Sequence, residues 1–461
     1  MKLLMVSLGC DKNLTNTEEM MGLLAKEGYS FTDDEDEAEI IVVNTCCFIG
    51  DAKEESVNTI LQMAEHKQSN GGKCKVLAVC GCLAQRYAEE IRKEIEEVDV
   101  VIGTSAYENI AKAIADVLGE ASENEKDSEG ESVLKDGMYL RDISYLPDVK
   151  TERLITTGGH YAYLKIAEGC DKHCTYCIIP KLRGSYRSVP MERIIEEAKT
   201  LAENGVKELI LVAQETTLYG VDLYGKKTLP ELLSKLNAIE GISWIRLLYA
   251  YPEEITDEII EAIAVNEKVC HYIDMPIQSG SDPVLKRMGR RTSVEDIKNV
   301  VSKLRNRISD ICIRTTLITG FPGETEEDHE NTMNFVDEMC FDRLGVFTYS
   351  LEEDTPAYSL PNQIDEEVKK ARRDDVMELQ QEIVFDENEA MIGEELDAFI
   401  EGQVADQEAY VARTYKDAPG VDSYVFIETS RSLMSGDIVK VRITGANEYD
   451  LIGELADEFT E

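Results

Sequence analysis

Three closely spaced cysteines constrain the fold of this 461-residue chain more than any other feature. Cys170, Cys174 and Cys177 follow a strand-like run at 161–167 and have the spacing C-x3-C-x2-C. Thiolates packed this tightly favour a metal. A structural zinc site normally takes four protein ligands, and ferredoxin sequences use C-x2-C-x2-C with a distant fourth cysteine, so neither fits this spacing well. Three thiolates on a four-iron cluster leave one iron open, and we therefore expect this loop to close around such a cluster.

The open iron is what a cluster needs if it binds a small molecule as well as carrying electrons. Here that molecule would be S-adenosylmethionine (SAM), held through its amino and carboxylate groups. The spacing of Cys170, Cys174 and Cys177 resembles that of the radical SAM superfamily. The resemblance implies that these three cysteines hold a 4Fe–4S cluster.

A β/α alternation surrounds the cysteine triad. Six strand-like runs separated by helical patterns predict an open, partial (β/α)6 barrel, with the chemistry at the carboxyl ends of its strands. These runs lie at 161–167, 208–213, 244–249, 272–277, 311–319 and 344–350.

Residues at these strand ends are the candidates for SAM contacts. Gln214 and Glu215 follow the second run, and Gly320 follows the fifth. Side-chain amides and carboxylates can hold an amino group or a ribose, and a glycine lets a ligand approach the backbone. Tyr176, inside the triad, is expected to stack near the adenine. The alternative, that these residues only form turns or pack the loop, stays open at this point.

The amino-terminal region predicts a second, smaller parallel α/β sheet. Runs at 2–8, 39–44 and 75–79 read as buried strands with helices between them. Cys10, Cys46 and Cys82 come after one run each, so three thiols converge on the edge where parallel sheets gather ligands. This arrangement suits a second cluster. Position alone leaves a choice between Cys46 and its neighbour Cys47, and between Cys82 and Cys80, although a thiol within a strand pattern, as at Cys80, is usually ordinary packing.

The remaining regions complete the predicted domain organisation. Residues 120–137 are too polar to form a core and predict an exposed linker. After a charged helix at 366–388, five short strand patterns predict a small β-barrel. The predicted domains are 1–119, an acidic linker and connecting segment at 120–150, 151–390 and 391–461.

Charge and cysteine usage restrict the class of partner and the compartment. The chain has 48 Lys and Arg against 91 Asp and Glu, a formal net charge of -43. Residues 391–461 carry 5 basic and 16 acidic residues, hence 5 minus 16, or -11, which makes a poor surface for nucleic acid. Twelve cysteines without a secretory leader favour reduced thiols in a cytoplasmic protein. No apolar run is long enough for a membrane helix, so we expect no membrane partner.

Taken together, the motifs resemble the methylthiotransferase family over nearly the whole chain. The resemblance implies an auxiliary 4Fe–4S cluster held by Cys10, Cys46 and Cys82, the radical SAM cluster described above, and a carboxyl-terminal TRAM β-barrel. It also implies that SAM is cleaved to a 5′-deoxyadenosyl radical, that the auxiliary cluster presents sulfur to the substrate carbon and that a second SAM supplies the methyl group. The motifs outside the triad are Ser7-Leu8-Gly9-Cys10, Val43-Asn44-Thr45-Cys46 and Gly81-Cys82-Leu83-Ala84-Gln85-Arg86-Tyr87.

Members of this family modify either an adenosine of tRNA or the β-carbon of an aspartate in ribosomal small-subunit protein S-twelve. Stretches at 10–14, 48–56, 178–185, 345–350 and 417–420 resemble the ribosomal-protein branch, which usually has proline at Asp11 and glycine at Cys47. The acidic carboxyl-terminal region favours a basic protein substrate independently. We therefore predict a methylthiotransferase of protein S-twelve that depends on an external electron donor. The alternatives are a tRNA adenosine methylthiotransferase and a non-enzymatic iron–sulfur binding or electron-transfer protein.

Overall fold

The computed structural model describes residues 1–119, 133–135, 137–149 and 151–457. It divides into two compact units. The first unit comprises residues 1–156, 168–187 and 350–358, and the second comprises 157–167, 188–349 and 359–461. Most of the predicted linker at 120–137 lies outside the described residues. The segment that carries Cys170, Cys174 and Cys177 therefore packs with the amino-terminal region of the chain.

The first unit is built on a mainly parallel sheet. Its central strands, Ile40–Thr45 and Val76–Cys80, are buried along their whole length, as expected for parallel strands covered on both faces. The prediction of a small parallel α/β amino-terminal fold is confirmed. The strands are β1 Lys2–Ser7, β2 Ser30–Phe31, β3 Ile40–Thr45, β4 Val76–Cys80, β5 Val100–Ile102, β6 Val133–Lys135 and β7 Met138–Leu140. The helices are α1 Asp11–Lys26, α2 Gly50–Ala64, α3 Gly81–Arg86, α4 Ala88–Glu94, α5 Ile110–Leu118 and, in the triad segment, α6 Ile179–Arg183.

The strand order in this sheet is β2-β1-β3-β4-β5-β7-β6, and only the β6–β7 pair is antiparallel. Because β1, β3 and β4 are neighbours and parallel, their carboxyl ends lie side by side at one edge of the sheet. Two separate apolar clusters cover the two faces of the sheet. One of these clusters includes Leu182 of helix α6 and Ile178, the residue before the helix. This packing anchors the triad segment in the first unit.

The second unit contains an open six-stranded parallel sheet in the order β15-β14-β13-β12-β11-β8. This arrangement confirms the predicted partial barrel. The observed β13 begins and ends three residues before the predicted run at 272–277. The strands are β8 Tyr161–Lys165, β9 Ala167–Glu168, β10 Arg187–Ser188, β11 Glu208–Val212, β12 Trp244–Leu247, β13 Val269–Asp274, β14 Cys312–Thr319 and β15 Arg343–Thr348, where β9 and β10 span the unit boundaries. The helices are α7 Met191–Glu203, α8 Val221–Tyr224, α9 Leu229–Asn237, α10 Asp257–Val265, α11 Asp282–Arg287, α12 Val294–Arg307, α13 Glu326–Met339 and α14 Glu366–Ala390.

A closed five-stranded barrel follows α14, as predicted. Its order is β16-β17-β18-β20-β19. The strands are β16 Glu395–Gln403, β17 Ala409–Thr414, β18 Val425–Glu428, β19 Ile438–Asn447 and β20 Asp450–Leu455.

The connection between β17 and β18, residues 415–422, packs against one face of the six-stranded sheet. Ala418 lies in an apolar cluster with residues of β11, β13 and β14. Around it, Arg343 donates to Asp417 at 2.7 Å and Tyr272 donates to Asp422 at 2.8 Å. A loop of the barrel therefore contributes to the apolar core on this face of the sheet.

Candidate metal and SAM site

Three parallel strands position the first group of thiols. Cys10 lies three residues after β1 and caps the amino terminus of α1. Cys46 comes directly after β3, and Cys82 lies in the first turn of α3, just after β4. Cys46 and Cys82 are buried at 7% and 6% exposure, whereas Cys10 is exposed. The group thus lies at the carboxyl edge of the sheet and has one accessible side.

Asn13 joins the loops that carry these cysteines. Its fully buried side-chain amide donates to the carbonyl oxygens of Leu8, at 3.0 Å, and Thr45, at 2.9 Å. These two residues precede Cys10 and Cys46. A single side chain therefore fixes the separation between two of the three thiol-bearing loops.

The backbone around Cys46 is held on two further sides. Ser56 Oγ accepts from the Cys46 backbone N–H at 3.0 Å and donates to the Cys46 carbonyl oxygen at 2.8 Å. Gly9 packs against the side chain, since a Cβ at Gly9 would lie 2.6 Å from Cys46 Cβ and 2.9 Å from its Sγ. Cys46 has little room to move.

The pKa values of these thiols depend on one another. The pKa of Cys46 is raised to about 12, chiefly by burial, and the neighbouring Cys82 and Cys10 contribute to this shift as like charges. Burial likewise raises the pKa of Cys82, and Cys10 adds to the shift, while Arg183 opposes it. Thiolates that repel one another are stabilised when they bind a common metal centre. Metal binding takes the deprotonated thiolate, so these residues fit an iron–sulfur cluster.

Cys80 and Cys47 differ from these thiols in distinct ways. Cys80, the last residue of β4, is fully buried in the apolar cluster on the opposite face of the sheet from Cys82. Its pKa is raised by burial alone. Cys47 is also fully buried, but its pKa of about 12 reflects burial first and then the neighbouring Cys82. Cys47 is therefore close to the thiol group and Cys80 is not.

The second group of thiols is held by a compact loop. The backbone N–H of Cys170 donates to the Gly184 carbonyl oxygen at 3.1 Å, and that of Cys177 donates to the Cys174 carbonyl oxygen at 3.0 Å. Burial raises the pKa of Cys177, and Cys174 and Cys170 add to the shift. The ionisation of Cys177 thus depends on the other two thiols, as the ionisation of Cys46 depends on its neighbours in the first group. Gly169 makes the loop possible, since a Cβ there would collide with the Ser185 carbonyl oxygen.

Arg183, at the end of α6, contacts the surroundings of both thiol groups. Its guanidinium donates to Glu168 at 3.2 Å and to Cys82 Sγ at 3.4 Å, and it also donates to Asn13 Oδ1. Arg183 is only 2% exposed.

The segment 350–358 makes a second connection within the first unit. The Glu352 carboxylate accepts a hydrogen bond at 3.0 Å from Arg86, which lies four residues after Cys82. It also forms an ion pair with Lys53 at 3.5 Å. Ala357 donates its backbone N–H to the Thr175 carbonyl oxygen at 2.8 Å, inside the triad. This segment therefore holds the loops of both thiol groups.

The predicted SAM contacts fall in both units. Tyr176 belongs to the first unit. Gln214, Glu215 and Gly320 belong to the second, where they follow β11 and β14 at the carboxyl edge of the six-stranded sheet. Glu215 is fully buried and accepts from the Thr217 backbone N–H at 2.9 Å. Gly320 has a φ of 71° and lies against the Lys369 side chain.

The thiol groups differ from a site for a single metal ion. Within the described residues, no group of three or more His, Cys, Asp or Glu side chains is arranged to hold one ion. A four-iron cluster is larger than one ion, so its ligands stand farther apart than those of zinc.

Sequence reasoning missed Asn13, Ser56 and Arg183. All three lie in stretches that carry the resemblance to the ribosomal-protein branch, but their residue types suggested no role. The signal was their place in these stretches, and only the fold shows what they contact.

Family models match three regions of the chain. Residues 2–103 match the model described as "Uncharacterized protein family UPF0004", residues 164–336 match the radical SAM superfamily, and residues 392–456 match the TRAM domain. The fold and the cysteine triad thus define a radical SAM enzyme with a TRAM barrel.

Curated relatives narrow this class. The chain is 59% identical to the ribosomal protein uS12 methylthiotransferase RimO of Lachnoclostridium phytofermentans, covering 98% of this chain and 99% of the relative. It is 51% identical to RimO of Acetivibrio thermocellus, covering 98% of each, and 49% identical to RimO of Clostridioides difficile, covering 99% of each. The chain belongs to the ribosomal protein uS12 methylthiotransferase family. The predicted enzyme class, with SAM and 4Fe–4S clusters as cofactors, is confirmed.

Solved structures support the fold alone. The radical SAM methyltransferase TsrM from Kitasatospora setae, a structure with cobalamin and a [4Fe–4S] cluster bound, matches with a TM-score of 0.55 at 13% identity, covering 77% of this chain and 76% of that one. The cobalamin-dependent SAM radical enzyme OxsB matches with a TM-score of 0.51 at 15% identity, covering 77% of this chain and 54% of that one. In the part of the chain that the structure describes, no helix is both long and apolar enough to cross a membrane.

Proposed function

We propose that the enzyme adds a methylthio group to the β-carbon of an aspartate side chain in ribosomal protein uS12. The observation that carries the proposal is the presence of two groups of three cysteines in one structural unit, with coupled ionisation within each group. A reaction that inserts sulfur at an unactivated carbon needs a source of radicals and a source of sulfur. Two separate cluster sites meet both needs.

The six cysteines have distinct proposed roles. Cys170, Cys174 and Cys177 would hold the radical SAM cluster, and Cys10, Cys46 and Cys82 would hold the auxiliary cluster. When bound, the clusters supply the electron that cleaves SAM and the sulfur that is inserted. We assign Cys80 to packing, because it lies on the far face of the sheet. Cys47 is a neighbour of the auxiliary site that the reaction does not require.

The chain's own contribution is placement and exclusion of water. Asn13, Ser56 and the segment 350–358 fix the loops that carry the thiols. Burial of Cys46, Cys82, Cys170 and Cys174 keeps water from most of their surface. Reacting groups held in this way lose little freedom when substrate binds.

SAM would be bound by side chains at the carboxyl ends of the barrel strands. We assign Gln214 and Glu215 to its polar groups, Gly320 to a close backbone approach and Tyr176 to its adenine. The buried carboxylate of Glu215, fixed by the Thr217 backbone, suits a cationic amino group.

The charge of the chain favours a basic protein over tRNA as the substrate. The formal net charge is -43, and residues 391–461 contribute -11 of it. Such a surface repels phosphate groups and attracts lysine and arginine. We also infer a cytoplasmic location, because the thiols that hold the clusters must stay reduced, and an external electron donor as a partner.

The test is reconstitution of the enzyme with both clusters, SAM, a strong reductant and purified uS12. We expect the mass of uS12 to increase by one methylthio group and the change to map to an aspartate. The matched control replaces uS12 with unmodified tRNA under the same conditions. Methylthio-adenosine in the tRNA with unmodified uS12 would refute the proposed substrate, and failure to cleave SAM would indicate a non-enzymatic iron–sulfur protein.

A further inference from the structure

The geometry points to Arg183 as a positioning residue that donates to a sulfur ligand of the auxiliary cluster and makes that cluster easier to reduce. The inference rests on the proposed assignment of Cys82 as a ligand. It goes further by giving a role to a residue that is neither a thiol nor a SAM contact.

The first step of the argument is the contact itself. Arg183 Nη2 lies 3.4 Å from Cys82 Sγ, within hydrogen-bonding distance for sulfur. Arg183 is 2% exposed and Cys82 is 6% exposed, so little water competes for this contact. Hydrogen bonds with a charged donor are about twice as strong as neutral ones.

The second step is that the guanidinium has little freedom to turn away. Nη1 donates to the buried Glu168 at 3.2 Å, and Nη2 also donates to Asn13 Oδ1. Asn13 is itself fixed by the carbonyl oxygens of Leu8 and Thr45. The guanidinium is a planar fork, so holding two of its nitrogens sets the direction of the donor that faces Cys82.

The third step concerns the consequence for a cluster. Thiolate ligands give an iron–sulfur cluster negative charge, and reduction adds more. Hydrogen bonds to the sulfurs, net charge and burial set the reduction potential of such clusters. A fixed cation that donates to a ligand sulfur stabilises the more negative, reduced state, so Arg183 should raise the potential.

An alternative role for Arg183 is that it only forms a structural ion pair with Glu168, and its contact with Cys82 argues against this role. A purely structural pair would need no third acceptor, yet the Arg183 guanidinium also reaches a cysteine 101 residues earlier in the chain. The two roles predict different results. Loss of a structural pair lowers stability alone, whereas loss of a donor to Cys82 also changes the potential of any cluster that remains bound.

The experiment isolates the auxiliary cluster in the full-length chain. Cys170, Cys174 and Cys177 are replaced together by alanine, so that only the auxiliary cluster is reconstituted, and its midpoint potential is measured by titration followed by electron paramagnetic resonance. In this background, Arg183→Gln is expected to retain iron and to shift the midpoint to a more negative value. An unchanged or more positive midpoint would overturn the inference.

The matched control is Arg153→Gln. Arg153 is another buried arginine of the first unit, and it pairs with Glu18 at 3.4 Å. Both substitutions leave a buried carboxylate without its arginine, so both are expected to lower the thermal midpoint. Only Arg183→Gln should shift the reduction potential, and an equal shift in Arg153→Gln would contradict a specific role at Cys82.

A second variant covers the case in which Arg183→Gln does not fold. Glu168→Gln combined with Arg183→Gln removes both charges, so no unpaired carboxylate stays buried. Because loss of the Glu168 charge by itself raises the potential, the reference for the double variant is Glu168→Gln alone in the same triple-alanine background. The double variant is expected to have a more negative midpoint than this reference, because the group lost at the sulfur is the donor, and a midpoint equal to or above the reference would overturn the inference. None of these measurements uses uS12, so failure of the proposed substrate would leave them unaffected.

Discussion

Gly9 and Cys46 are in such close contact that a side chain on the glycine would overlap the cysteine. A Cβ at Gly9 would lie 2.6 Å from Cys46 Cβ and 2.9 Å from its sulfur. The backbone of Gly9 is also in the left-handed region, with a φ of 85°. The glycine that precedes Cys10 in the sequence motif is therefore required for a close contact with Cys46, which follows the neighbouring strand.

Gly9→Ala is expected to prevent the auxiliary cluster from forming. The left-handed backbone costs an alanine about 1–2 kcal/mol, and the overlap displaces Cys46 as well. After reconstitution, the variant should bind about half of the iron of the parent. Gly28→Ala is the matched control, since Gly28 has a φ of 86° and nothing within 4 Å of the added carbon. Equal iron contents in the two variants would show that the contact with Cys46 is unimportant.

Cys174→Ala is expected to abolish SAM cleavage. Two thiolates would hold the radical SAM cluster poorly, and the cleavage depends on that cluster. The measurement is 5′-deoxyadenosine released under strong reduction. Cys270→Ala serves as the control, because Cys270 is a buried cysteine of β13 in the second unit and should leave the yield unchanged. Undiminished 5′-deoxyadenosine from Cys174→Ala would remove Cys174 from the ligand set.

Cys82→Ala is expected to separate the two halves of the reaction. SAM cleavage should continue, because Cys170, Cys174 and Cys177 are intact, while uS12 should gain no methylthio group. Cys80→Ala, two residues earlier, should support both activities, since Cys80 lies on the opposite face of the sheet. The reverse result would assign the ligand role to Cys80. Cys47→Ala should behave like Cys80→Ala if Cys47 is a bystander.

Glu208→Gln is expected to destabilise the second unit by about 3–5 kcal/mol, the usual effect of removing one partner from a buried ion pair. Glu208 is fully buried and contacts Arg246 at 2.7 Å and Arg413 at 2.5 Å. The measurement is the free energy of unfolding in urea. Glu261→Gln, which breaks an exposed pair with Arg307, should leave the free energy of unfolding almost unchanged, because water screens the attraction between exposed charges.

Glu208 should also make the free energy of unfolding depend on pH. Burial raises the pKa of Glu208, but Arg413 and Arg246 more than offset this effect, so its pKa lies below the ordinary value of 4.5. The folded state therefore binds the proton more weakly than the unfolded state. The contribution of Glu208 is fully present above pH 4.5 and is lost as the pH falls below it. The difference between the parent and Glu208→Gln should shrink over that range.

Local patterns in the sequence were sufficient for the central strands and for the positions of the cysteines after them. Buried parallel strands such as Ile40–Thr45 begin with a continuous apolar run, and the cysteines that follow them are visible directly. Strand β13 was misplaced by three residues, because apolar residues continue beyond Asp274 and hide its true end. The start of helix α1 at Asp11 is not visible in the sequence, because its polar first turn lacks an apolar periodicity.

The supporting contacts of the site could not be predicted, because they join residues that are distant in the chain. Arg183 is 101 residues from Cys82, and Arg413 is 205 residues from Glu208. The hydrophobic periodicity of a sequence reports local structure and does not indicate which distant residues pair. By contrast, the placement of Cys80 and Cys82 on different faces of the sheet follows from the alternation of side chains along β4 and the start of α3, which is a local property once the end of the strand is known.

Residues 415–422 of the carboxyl-terminal barrel pack on the six-stranded sheet. Because of these contacts, the TRAM barrel and the radical SAM core are expected to evolve together as one unit. A TRAM barrel transplanted from another family would bring a different loop, and Arg343 and Tyr272 would then face acceptors that no longer match. A gene truncated after α14 would leave those same groups exposed to water together with an apolar surface. Recombination at this boundary should therefore succeed only between relatives whose sheet and loop have changed together.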